Sequence, residues 1–167
     1  HIALMRDDWR LVPESIRIYL EGMLPRGVYA KDAILHILAR VTMNGFTDAV
    51  VEFVGPALET LSADDRSTIA NMVVEGGGTC GLFPVGEIRA DQGAHFQRDL
   101  SFDLSGLVPH VAPPFKPDLG LPVTELDPTP VDVAWIGSCT GGKLEDLAAA
   151  AEVLEGERVA SNVRLIV

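Results

Sequence analysis

The stretch VAWIGSCTGGKLEDLAAAAEVLEG, residues 133–156, decides the class of fold. Its first four residues are apolar and suit a short buried strand, and residues 144–154 have the apolar spacing of a helix. A second apolar run at residues 163–167 closes a strand–helix–strand unit. Such units place two strands parallel with the helix as crossover, which points to an α/β class. Between strand and helix stands Cys139, one of only two cysteines, flanked by glycine, serine and threonine.

The same alternation extends toward the N-terminus. SIRIYLE (residues 15–21) alternates and is rich in isoleucine and tyrosine, so it reads as a strand. AKDAILHILARVTM (residues 30–43) carries Ile34, Leu35, Ile37, Leu38 and Val41 at helical spacing, closed by Asn44 and Gly45. AVVEFV (residues 49–54) reads as the next strand, followed by a short helix that Pro56 begins. Ser62-Ala63-Asp64-Asp65 has the form of a capping box, and its helix is expected to run to Glu75, where three glycines break it. A short strand is expected at residues 79–84, loop and weak helix at 85–98, and another strand at 99–104. The proline-rich passage from Pro109 to Pro130 reads as a linker or extended loop, because proline donates no ladder hydrogen bond.

Composition excludes several roles. The chain has 167 residues, 47% of them hydrophobic, enough for a substantial core. Its formal charge of −11 argues against nucleic acid and against anionic membrane surfaces, both of which need basic stripes. No run approaches the roughly 18 apolar residues of a membrane span. Cys80 and Cys139 do not suggest a disulfide framework, so a reducing cytoplasm is the expected setting. The chain opens on His1 and ends on a bare apolar run, and it is expected to be a piece of a longer polypeptide.

Two places carry possible chemistry. Strand ends that feed helix N-termini are where α/β proteins meet anionic ligands, and a cysteine there is disposed to metal ligation or attack. The plain alternative is a turn that needs small residues beside an inert thiol. In the helix expected at residues 63–75, Asn71 and Glu75 are four apart and would share a face with Thr68 and Asp64. Here the plain alternative is a solvated polar stripe. The three glycines that follow exceed what a cap needs and hint at a close backbone approach. His1, His36, His95 and His110 lack metal-ligand spacing, and His36 reads as a packed core histidine.

Three segments together resemble a known family: LPRGVYAKDAILHILARV (24–41), VVEFVGPALETLSADDRSTIANMVVEGGG (50–78) and IGSCTGGKLEDLAAAAEVLEG (136–156). The sequence resembles an internal portion of the large catalytic subunits of the 3-isopropylmalate dehydratases (isopropylmalate isomerases). These belong to the aconitase superfamily, which also holds homoaconitase. The resemblance implies an incomplete aconitase-like three-layer α/β/α fold with mainly parallel sheets. Residues 1–98 would form one domain, with 1–12 trailing from a preceding one, and residues 99–167 would begin the next. It also implies dehydration and rehydration of a small hydroxy-acid on a 4Fe–4S cluster held by three cysteines, whose fourth iron acts as a Lewis acid.

Carried over residue by residue, Cys139 in GSCT falls on the first cluster cysteine, with Ser138 and Thr140 beside the cofactor. Asn71 and Glu75 in NMVVE fall on the amide and carboxylate next to the labile iron. The sequence departs from the family in having no CxxC, in Gly141 where asparagine is usual and in Lys143 where arginine is usual. The partners implied are the missing catalytic portions and a small swivel subunit or domain. The alternative is a cluster-less homologue acting as a binding module or with different chemistry. A nucleophilic Cys139 ranks last, since no paired base is visible in the sequence.

Overall fold

The computed structural model describes residues 11–167 together with Leu4 and Trp9. Most of the segment expected to trail from a preceding domain, residues 1–12, therefore lies outside the described residues. Strand β1 (Glu14–Glu21) puts Ile16, Ile18 and Leu20 on one face, and all three are buried because side chains alternate with period two. Helix α1 (Ala30–Val41) buries Ile34, Ile37 and Leu38 against that face. Strand β2 (Ala49–Val54) runs parallel to β1, with Val51 opposite Ile16 and Phe53 opposite Ile18. Strand β3 (Cys80–Leu82) pairs with β2, and β4 (Arg98–Asp103) pairs with the other edge of β1. The four-stranded parallel sheet thus has the order β3-β2-β1-β4, with β1 inside it. Residues 98–103 join this first sheet, across the division expected after residue 98.

The helices of this unit share one core with the buried face of the sheet. Among the described residues the expected three-layer arrangement is represented by two layers. The opposite face carries Arg17, Tyr19, Glu52, Val54, Asp99 and Ser101 and forms an open groove of about 650 Å³. Where β1 ends, Gly22 turns with φ +73°, and Ser105 and Asp103 crowd the space its Cβ would take.

Helix α2 (Ala63–Asn71) begins as its sequence predicts. The Ser62 hydroxyl accepts from the Asp65 amide at 3.1 Å, and the Asp65 carboxylate accepts from the Ser62 amide at 2.9 Å. The helix does not run to Glu75. It stops at Asn71 and tightens into a 3-10 turn, Met72–Gly76, capped by left-handed Gly77. Packing against Phe46 accounts for this. Gly76 is buried, its carbonyl accepts from the Phe46 amide at 2.9 Å, and a Cβ on it would stand 2.6 Å from Phe46 Cδ2. The close approach hinted at by the three glycines is therefore to the protein's own Phe46.

The passage expected as a linker is packed. Strand β5 (His110–Val111) pairs antiparallel with β6 (Leu121–Pro122), and the 3-10 turn Pro117–Leu119 lies against α1. Gly120 sits where a Cβ would meet the Leu35 carbonyl oxygen at 2.8 Å. Short extended pieces can pair with each other where prolines forbid a long ladder. Residues 85–97 hold turns and one bridge, Val85 to Ile88, and the weak helix expected within 85–98 does not form. The last unit is the expected one: β7 (Val133–Trp135), α3 (Leu144–Leu154) and β8 (Arg164–Ile166), with the two strands parallel. No helix among the described residues is long and apolar enough to cross a membrane.

Candidate functional site

The loop from β7 to α3 carries one strained residue near its start. Ser138 has φ +77°, a left-handed conformation that costs a non-glycine residue on the order of 1–2 kcal/mol. Its hydroxyl lies 3.4 Å from both the Thr140 amide and the Thr140 hydroxyl. Cys139 follows as an exposed free thiol. Strain of this kind persists where surroundings over-determine it, and the surroundings here are visible. Lys143 is the N-cap of α3, and its amide donates to the Asp146 carboxylate at 3.0 Å.

The Lys143 ammonium reaches out of its own unit. Nζ donates to the Thr68 hydroxyl at 2.6 Å and to the Cys139 carbonyl at 3.0 Å. Beside it, the Ser62 hydroxyl donates to the Glu145 carboxylate at 3.0 Å. The N-terminus of α3 therefore docks on the first two turns of α2, and Cys139 is carried with it. The residue types left open a ligand-binding loop or a plain turn of small residues. The contact to Thr68 could not be read in advance, because the two residues are distant in sequence.

Asn71 and Glu75 are both exposed, at the end of α2 and in the 3-10 turn after it. A 3-10 turn repeats every three residues, so positions four apart diverge by roughly a third of a turn rather than stacking. Asn71 lines a groove with Ser67, Ala70, Val74, Thr79 and Cys80. Thr140 and Gly141 line another, with Lys31, Asp32, His110 and Asp146. The structure brings Ser138, Cys139 and Thr140 together in one loop and sets Asn71 one turn beyond the Thr68 contact.

Sequence reading passed over a pair of imidazoles. His36 on α1 is half-buried, and its Nδ1 lies 3.3 Å from Nε2 of His110. Burial first, then Arg40 and His110, hold the His36 pKa below its ordinary value. The His110 amide donates to buried Asp32 at 2.6 Å, so the pair also fixes the proline-rich passage to α1.

A three-thiolate cluster needs more donors than these. Among the described residues no group of three or more His, Cys, Asp or Glu side chains could hold a metal ion, and Cys139 offers a single thiol. The residues present do not form a complete cluster site by themselves.

Comparison with known proteins adds the lineage. The model of the aconitase family (aconitate hydratase) matches residues 2–88. The 3-isopropylmalate dehydratase large subunit of Geotalea uraniireducens is 41% identical, over 92% of this chain and 42% of that protein. Large subunit 1 of Methanopyrus kandleri is 39% identical over 95% of this chain, and large subunit 2 of Archaeoglobus fulgidus 38% over 96%. In each case the chain spans 42% of the relative's length. The mainly parallel sheet with its helices agrees with these matches, and the chain belongs to the aconitase family.

Proposed function

We propose that this chain is part of an aconitase-type hydro-lyase of the 3-isopropylmalate dehydratase kind, interconverting hydroxy-acid isomers by dehydration and rehydration. The observation that carries the reading is the 41% identity to a dehydratase large subunit across 92% of the chain. In this reading Cys139 contributes one thiolate to an iron–sulfur cluster, with Ser138 and Thr140 beside it. Asn71 supplies an amide that can donate to a substrate oxygen, and Glu75 a carboxylate that can accept or return a proton. The substrate class is a small hydroxy-acid such as 2- or 3-isopropylmalate. The remainder of the active site comes from other large-subunit segments and a small swivel subunit. Two free cysteines fit a cytoplasmic setting.

The test is anaerobic reconstitution with iron and sulfide of this chain joined to the remaining large-subunit segments of a relative, in the presence of that relative's small subunit. Bound iron and the ultraviolet absorbance of the unsaturated acid product are the readouts. Iron or turnover that depends on Cys139 supports the reading. Iron and turnover that survive Cys139→Ser overturn the role of that residue. Saturable binding of the hydroxy-acid with neither iron nor turnover favours a cluster-less homologue that acts as a binding module.

A further inference from the structure

We propose that Lys143 is a positioning residue that ties the cysteine loop to helix α2, and so sets where Cys139 stands relative to Asn71. The proposal rests on the reading of Cys139 as the functional thiol. Its own support is geometric. One ammonium donates both to the carbonyl of Cys139 at 3.0 Å and to the hydroxyl of Thr68 at 2.6 Å. Thr68 is 4% exposed and belongs to the same helix as Asn71, one turn earlier. Both acceptors are neutral, so the ammonium serves here as a multi-donor fastener. A charged donor to a neutral acceptor makes a strong bond when partly shielded from water, and Lys143 is half-buried. Ser138, held left-handed at φ +77°, is the residue that such a fastener would hold in place.

The test compares the wild-type chain with Lys143→Met, Lys143→Arg and Thr68→Val, reading the alkylation rate of each thiol by iodoacetamide and amide exchange across residues 138–142. Cys80, also exposed, is the internal reference. In Lys143→Met and in Thr68→Val, exchange in the loop is expected to rise about tenfold. The Cys139 rate is expected to change while the Cys80 rate does not. Lys143→Arg is expected to restore both readouts in large part, since arginine also offers several donors. Thr68→Val keeps the side-chain shape and removes the hydroxyl that accepts from Lys143, so it guards against misfolding of the lysine variant. If loop exchange and the Cys139 rate match wild type in both Lys143→Met and Thr68→Val, the proposal is wrong. Neither readout needs iron, so failure of the hydro-lyase reading leaves a distinct result.

Discussion

Nδ1 of His36 and Nε2 of His110 face each other at 3.3 Å, and only one proton can sit between them. His110 Nδ1 lies 2.6 Å from the Val108 carbonyl and must carry a proton to donate there. In that tautomer Nε2 of His110 accepts from Nδ1–H of His36. Arg40 stands near the pair, Asp32 accepts from the His110 amide, and Phe102 presents its ring to His36 edge-on. Because the folded-state pKa of His36 lies below 6.5, this contribution to stability is complete above that pH. It declines as pH falls below 6.5 and levels off under the folded-state value. Urea midpoints between pH 7.5 and 5 are expected to fall in the wild type and to flatten in His36→Gln.

Replacing Gly76 by alanine tests the glycine run. A Cβ there would meet Phe46 Cδ2 at 2.6 Å and Leu38 Cδ2 at 3.1 Å. Overpacking of this size costs about 1–3 kcal/mol. The urea midpoint is expected to drop accordingly, and Gly76→Ala combined with Phe46→Leu is expected to recover part of it.

Ser62 caps α2 and also donates to Glu145. Ser62→Ala is expected to lose about 1 kcal/mol through the cap. Glu145→Ala removes only an exposed contact and is expected to change stability by less than about 0.5 kcal/mol. Chemical denaturation of the two variants separates cap from contact.

Cys139 is exposed, so Cys139→Ser is expected to leave stability within about 0.5 kcal/mol of wild type. In the chain completed with a relative's remaining large-subunit segments and small subunit, bound iron after anaerobic reconstitution and hydro-lyase turnover are expected to be lost. Asn71→Ala, also at the surface, is expected to fold normally and to lower turnover by about 100-fold, the scale of one hydrogen-bond donor at a reacting centre. Melting curves beside the assays distinguish the two effects.

Much of the first sheet was legible because its signals are local. Ile16, Ile18 and Leu20 alternate, Ile34 to Val41 repeat at helical spacing, and Ser62 with Asp65 spells out a cap. The premature end of α2 was hidden, because it depends on Phe46, which reaches Gly76 only once the chain has folded back. The proline passage misled for a related reason. Its lack of donors is real, yet His110 and Asp32 supply contacts that composition does not reveal. At the candidate site the strand–turn–helix frame around Cys139 was readable, since it lies in one continuous stretch. The fastening of that frame was not, because Lys143 and Thr68 meet across 75 residues.

The strand order β3-β2-β1-β4 has a consequence for where ligands can sit. Neighbours leave β1 in opposite directions, which in open α/β sheets creates a crevice at the carboxyl end and makes that end the usual berth for small molecules. Here that end is only partly filled: beyond Glu21 a cavity of about 360 Å³ remains between Met23, Tyr29, Thr68 and Glu145. Gly22 bends under Asp103 and Ser105, and the Ser105 hydroxyl accepts from the Met23 amide at 3.4 Å. The chain has moored its own turn on one side of that crevice, and the first turns of α2 and α3 wall the other, so the space left for a guest is bounded by the same two helix starts that Lys143 joins.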